Sequence, residues 1–192
     1  MPVPKSLATD KTVGVLAAPG LEEVEALAVV DCLFRAGVRA DLIALGDEPE
    51  VVSSHGIRLG CDLVLREADL PSYEILLLPG GMPGTLNLAA DETIGVELDR
   101  RARSGEGVAA ICAAPSVLAE RGHLKGLRAT ANPGFMSALR QGGADALEER
   151  VVEDGSVITS RGAGTALDLG LALVARILGT EAASAVRASL VY

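Results

Sequence analysis

The sequence predicts a doubly wound α/β domain, a mostly parallel sheet with helices on both faces. Three observations predict it. Apolar runs of strand length recur along the chain, at Thr12 to Ala18, Arg39 to Leu45, Glu74 to Leu78 and Val108 to Ile111, and helix-length stretches with Gly or Pro punctuation lie between them. The apolar fraction of 49% is mostly Ala, Val, Leu and Ile, with two Phe, two Tyr and no Trp, a composition suited to parallel strands buried on both faces. The 192 residues contain no repeat and no linker, so one domain with a core of its own is expected.

Taken in order, residues 1–11 read as a flexible extension and 12–192 as the domain. The first strand, Thr12 to Ala18, breaks at Pro19-Gly20. A helix then runs from Glu22 to Ala36, with Val24, Leu27, Ala28, Cys32 and Phe34 as its main apolar positions and Gly37 as its stop. With the strand from Arg39 to Leu45 it makes a βαβ unit, hence a parallel pair with a right-handed crossover. Val51 to Ser54 and Ile57 to Cys61 flank His55-Gly56 as a β-hairpin. The strand ending at Leu78 runs into Pro79-Gly80-Gly81-Met82-Pro83-Gly84. Asp91 caps a helix that reaches Ser104. After the strand ending at Ile111 come a helix from Pro115 to Glu120, a short strand from Arg128 to Ala131 and a short helix from Pro133 to Gln141. A second hairpin turns at Asp154-Gly155, and helices from Thr165 to Leu178 and Thr180 to Ala188 close the chain.

Net charge is −9 and no basic cluster stands out, which argues against nucleic acid or an anionic membrane as partner. No apolar run reaches the roughly 20 residues of a membrane span. The N-terminus lacks an apolar signal core, so a cytoplasmic location is expected. Cys32, Cys61 and Cys112 are too scattered for a disulfide framework or a zinc motif, so no metal is expected.

The stretch Gly107-Val-Ala-Ala-Ile-Cys-Ala-Ala-Pro115 carries the chemistry. Cys112 stands where a strand turns into a helix, facing unpaired N–H groups and the positive helix end, both of which favour a thiolate. Small neighbours (Ala110, Ala113, Ala114) permit a sharp turn. This is the layout of a nucleophile elbow with sulfur in place of oxygen. The loop after Pro19, the Gly80-Gly81 loop and the Cys112 turn all follow strand ends, where doubly wound sheets place their ligand cleft.

Four motifs in sequence order, Gly20-Leu-Glu-Glu-Val-Glu25, Leu78-Pro-Gly-Gly81, Ala110-Ile-Cys-Ala-Ala-Pro115 and Thr159-Ser-Arg-Gly-Ala-Gly-Thr165, resemble the ThiJ/PfpI superfamily, whose fold is that of class I glutamine amidotransferases. The similarity is greatest to the branch of the Parkinson-disease-linked protein deglycase and its bacterial relatives. The resemblance implies a flavodoxin-like sandwich, a homodimer and a strained cysteine paired with a glutamic acid. Carried onto this chain, Cys112 matches the nucleophile and Glu25 the acid that stays protonated beside it, while Glu22 and Glu23 face solvent or the dimer partner. Gly80, Gly81 and the Ala113 N–H match the oxyanion-stabilising backbone. Arg161 and Gly164 match the turn beside the cysteine, and with Glu22 and Asn132 they are the candidates for the substrate side of the cleft. Position 163 is Ala where close relatives often have Pro, and position 132 is Asn where the family commonly has His. Asparagine can orient a substrate or hold a water but cannot shuttle a proton near neutral pH. His123 reads as a surface-loop residue and His55 as a solvated hairpin tip. Ala113 in place of the protease branch's His, no late His-x-Glu pair, and Glu25 where isonitrile hydratases use Asp set those relatives apart.

Two functions follow from the resemblance. One is cysteine-dependent conversion of reactive dicarbonyls, methylglyoxal or glyoxal, or of their early adducts, to 2-hydroxy acids, with no cofactor required. The other is a redox-sensing or chaperone-like stress protein in which Cys112 is oxidised to the sulfinate with little turnover.

Overall fold

The computed structural model describes residue 4 and residues 6–192. Four of the residues expected to form a flexible extension, 1–3 and 5, lie outside the described residues. Further on, the Ala8 N–H donates to the Gly37 carbonyl at 2.9 Å.

In chain order the elements are β1 (Thr12–Ala17), α1 (Glu23–Arg35), β2 (Arg39–Ala44), β3 (Glu50–Val52), β4 (Arg58–Gly60), β5 (Leu63–Val64), β6 (Ile75–Leu78), α2 (Gly84–Ala90), α3 (Glu92–Ser104), β7 (Gly107–Ile111), α4 (Pro115–Glu120), β8 (Arg128–Ala129), α5 (Met136–Gln141), β9 (Asp145–Ala146), β10 (Val151–Asp154), β11 (Val157–Ser160), α6 (Ala166–Leu178) and α7 (Thr180–Ser189). A seven-stranded sheet runs β10-β11-β7-β6-β1-β2-β5. Every pairing in it is parallel except the edge pair β10–β11. The fold is the flavodoxin-like α/β sandwich.

Strand alternation sorts the core into two layers. Val13, Val15 and Ala17 pack with Ala26, Val29, Leu33 and Leu173 on the α1/α6 face. Leu16, Leu76 and Leu78 pack with Leu98, Leu118 and Leu139 on the opposite face. Between α1 and α6, a Cβ added at Gly170 would stand 2.7 Å from Cys32 Sγ. The glycine therefore sets how closely the two helices approach, and Cys32 is core.

Several elements differ from the sequence expectation. The buried face of α1 is Ala26, Val29, Val30, Cys32 and Leu33, whereas Val24, Leu27 and Phe34 are exposed. The helix is apolar on two faces, so periodicity alone did not choose between them. The stretch from Pro133 begins with a tight 3-10 turn before α5. α2 was hidden because its start, Pro83-Gly84, reads as turn signals. β5 and β9 are two residues each, below the length at which a pattern shows. The first hairpin forms its own small sheet and is tied to the start of α1 by Gly20 N–H to Val52 O at 2.7 Å and Ser54 N–H to Leu21 O at 2.8 Å.

Arg101 on α3 is fully buried. It donates to the carbonyls of Leu70, Tyr73 and Gly107 and to Glu97 Oε1 at 2.7 to 3.0 Å, pinning the loop before β6 to the start of β7. Truncation would leave the buried Leu70, Tyr73 and Gly107 carbonyls without their donor, while Glu97 keeps its pair with Arg100. Arg101→Ala is expected to destabilise the chain by about 3 kcal/mol in urea unfolding. A loss below about 1 kcal/mol would mean the guanidinium is replaceable by water.

Candidate active site

The parallel strands β1, β6, β7 and β11 end on one edge of the sheet, and the site is assembled there. Cys112 follows β7 with φ +64, a left-handed conformation that costs a non-glycine residue about 1–2 kcal/mol. Its backbone is held on both sides: its N–H donates to Ser160 O at 3.0 Å and its carbonyl accepts from Asn132 N–H at 2.9 Å. Glu25 lies in the first turn of α1 and is 1% exposed. Its carboxyl is hydrogen-bonded to the Cys112 thiol, and its Oε2 accepts from Gly80 N–H at 2.9 Å.

Gly80 is what lets the pair form. A Cβ there would stand 2.6 Å from Cys112 Cβ and 2.6 Å from Glu25 Oε2. Gly81 has φ +89, and a Cβ there would meet Glu22 N at 2.3 Å. Both positions exclude any side chain. The N–H groups of Ala113 and Gly81 are directed at the sulfur. Gly80 N–H, expected as an oxyanion donor, is taken up by Glu25.

Both members of the pair resist ionisation. Burial, first, lifts the Glu25 carboxyl to about 7; the charge of Glu22 adds to this, while the hydrogen bonds from Cys112, Gly80 and Ala163 oppose it. Burial, then the charge and hydrogen bond of Glu25, push the thiol up to about 12. The expectation that a helix start alone yields a thiolate is thus corrected: α4 begins at Pro115, and its pull is outweighed by desolvation and by the neighbouring carboxylate. The two groups are coupled: a charge on either one disfavours a charge on the other.

The remaining candidates fall in three places. Glu22 caps α1: its Oε2 accepts from Glu25 N–H at 2.7 Å, and its own N–H donates to Gly80 O at 2.9 Å. Asn132 borders the pair. Its Oδ1 accepts from Gly134 N–H at 3.1 Å, and its Nδ2, Glu25 Oε1 and Cys112 Sγ all lie within 3.8 Å of the point where a Gly162 Cβ would be. Arg161 lines the adjoining cavity, and Gly164 sits on its exposed rim. Gly162 and the Ala163 N–H, which points at Glu25, were not singled out from sequence; proline at 163 would lack that N–H.

Neither histidine reaches the pair. His55 is exposed, yet its Nδ1 bonds Glu23 Oε1 at 2.9 Å, which raises the imidazole pKa. Glu23 is buried there instead of facing solvent. His123 is not on an open loop: its side chain is 12% exposed and bonded to Asp99 at 2.8 Å. Among the described residues, the one group of side chains spaced to chelate a metal ion is Glu22, Glu23 and His55, with ligand atoms within 4.8 Å of one another.

Residues 11–176 match the DJ-1/PfpI family. The chain belongs to the DJ-1/PfpI family. It is 42% identical over 165 residues to protein DJ-1 homolog B of Arabidopsis thaliana, a match that covers 85% of this chain and 37% of that protein. The chain thus spans well under half the length of that plant relative. It is 33% identical to the glutathione-independent glyoxalase DJR-1.2 of Caenorhabditis elegans, over 91% of this chain and 93% of that protein. Its backbone superposes on the crystal structure of Drosophila melanogaster DJ-1beta with a TM-score of 0.90 at 32% identity, covering 95% and 98% of the two chains.

The sign of the Glu25 shift makes a prediction about stability. Below its ordinary value of 4.5 the carboxyl is neutral in both states. Between 4.5 and about 7 the unfolded chain ionises first, so the stability that Glu25 contributes is lost as pH rises through this window. Glu25→Gln, always neutral, is expected to gain on wild type across the same window, by at least about 1 kcal/mol at the top of it. Urea unfolding of both proteins from pH 4.5 to 8 checks this; parallel curves would mean that Glu25 is not a buried neutral acid.

Proposed function

We propose that the chain is a cofactor-independent, cysteine-dependent enzyme acting on α-dicarbonyls such as methylglyoxal and glyoxal, or on their early adducts, in the manner of a glyoxalase or deglycase. The observation that carries this reading is the buried Glu25 carboxyl hydrogen-bonded to the Cys112 thiol. The glyoxalase named among the relatives supports it.

The chemistry needs one nucleophile and one mobile proton. The reactive tautomer is thiolate beside neutral carboxylic acid. The sulfur adds to the aldehyde carbon of R–CO–CHO. The developing oxyanion lies against the Gly81 and Ala113 N–H groups and takes a proton. Glu25, now ionised, removes the hydrogen from that carbon and returns it to the neighbouring one. The product of this shift is a thioester of a 2-hydroxy acid. Water cleaves the thioester, releasing lactate from methylglyoxal or glycolate from glyoxal and restoring the pair. With Asn132 in the position where imidazole is common, Glu25 carries every proton step.

Cys112→Ala is expected to abolish lactate formation from methylglyoxal in glutathione-free buffer. Glu25→Gln is expected to lower kcat by about 100-fold or more while leaving the thiol titratable. Unchanged turnover in Cys112→Ala would end this reading.

The partner surface follows from the two-faced helix. Val24, Leu27 and Phe34 on α1 and Val52 and Ile57 on the adjacent hairpin are 37% to 49% exposed, apolar groups that a second copy of the chain would cover. Sedimentation is expected to give a dimer for the wild type and a monomer for the Val24→Glu/Leu27→Glu double variant. A monomeric wild type would remove the dimer from the proposal. No helix among the described residues is long and apolar enough to cross a membrane. A reducing, cytoplasmic setting would keep Cys112 as a free thiol.

A further inference from the structure

Beside the pair lies an open cavity of about 320 Å³, lined by Asn132, Arg150, Arg161 and the turn from Gly162 to Thr165. Cys112 is not part of its lining, but Gly162 and Asn132 border both spaces. In a chain of net charge −9, this cavity presents donors and no carboxylate.

The donors differ in how far they are already used. Arg150 is committed through Nε and Nη2: they bond Asp168 Oδ2 at 2.9 and 2.6 Å, and Nη2 also meets Gly164 O at 2.7 Å and Tyr192 Oη at 3.3 Å. Its work is to hold the turn in place. Arg161 spends one N–H on the Glu148 carbonyl at 3.1 Å. The Glu148 carboxylate is 4.0 Å away with its side chain 78% exposed. The Nε–H and Nη2 groups of Arg161 have no hydrogen-bond partner among the described residues. Asn132 is oriented in the same sense. Gly134 N–H occupies its oxygen, so the amide face turned to the cleft is the Nδ2 donor.

Donors left unspent, with the Glu148 carboxylate beyond hydrogen-bond reach at 4.0 Å and open to solvent, call for an anion. We propose that this cavity is a subsite for an anionic group, a carboxylate or a phosphate monoester, on the carbonyl compound that reacts at Cys112. Arg161 supplies the charge and Asn132 Nδ2 the second donor. Gly162 leaves the passage from one space to the other open. This deepens the proposed function: it names anionic carbonyl compounds as the substrate class and rests on Cys112 being the reacting group.

Two measurements test it, and neither depends on turnover. The first compares alkylation by iodoacetate, which carries a carboxylate, with alkylation by uncharged iodoacetamide, peptide by peptide. The iodoacetate-to-iodoacetamide rate ratio at Cys112 is expected to exceed that at half-buried Cys61 by about fivefold or more. It should fall to the Cys61 value in Arg161→Ala, survive in part in Arg161→Lys and drop below the Cys61 value in Arg161→Glu. A Cys112 ratio equal to that of Cys61, or unmoved by Arg161→Ala, overturns the proposal.

The second titrates inorganic phosphate and acetate, at constant ionic strength, into wild type and Arg161→Ala while following backbone amide NMR signals of residues 161–165. Saturable shifts in the wild type alone support the subsite. Phosphate acting without acetate assigns a phosphorylated substrate, and acetate acting without phosphate a carboxylate. No shift with either anion overturns the subsite, whatever the reactivity of the thiol. Anion binding together with an inert Cys112 would instead leave the subsite standing and end the dicarbonyl reading.

Discussion

The contact between the Cys112 thiol and the Glu25 carboxyl is the constraint on which the rest of the structure depends. Each group alone would resist ionisation in this buried place. Together each raises the cost of ionising the other, with backbone N–H groups directed at both: Ala113 and Gly81 at the sulfur, Gly80 and Ala163 at the carboxyl. This requires the ends of β7, β6 and β11 and the first turn of α1 to meet within a few ångströms. The left-handed backbone of Cys112 is the local strain stored there, and its backbone bonds to Ser160 and Asn132 keep it from relaxing.

The surroundings divide the chemical labour. Acidic groups gather on the α1 side, where Glu22 caps the helix and Glu23 is tied to His55. Donors gather on the opposite side, where Asn132, Arg161 and the Gly162–Thr165 turn stand. Replacing an imidazole by an amide removes a proton carrier but keeps a donor. In the proposed reaction the cleft thus has one residue that moves protons and several donors that would hold negative charge. Behind it, the Arg101 network and the close α1–α6 approach at Gly170 make the scaffold rigid.

Much of the fold was legible because its signals are local. Continuous apolar runs mark β1, β2, β6 and β7 without reference to anything distant, and Gly-Pro punctuation marks where they end. The same locality made Cys112 readable as an elbow. Carrying Glu25, Gly81 and Asn132 to its side took the family resemblance, because residues so far apart along the chain have no local signal of being neighbours. Where local signals were ambiguous the reading failed: α1 offers two apolar faces, α2 starts with residues that also make turns, and β5 and β9 are too short to carry a pattern.

The sequence by itself determined a doubly wound α/β domain, a cysteine at one strand end and, through the family resemblance alone, the acid expected beside it. Only the tertiary structure decided how those groups behave. Burial reversed the expected direction for the thiol, turned the Gly80 N–H from an oxyanion donor into a partner of Glu25, and buried Glu23 and Arg101 among acceptors and counter-charges. Desolvation and hydrogen bonding depend on which groups surround an atom in space. Those neighbours come from segments tens of residues apart, so no local pattern of residue types contains them.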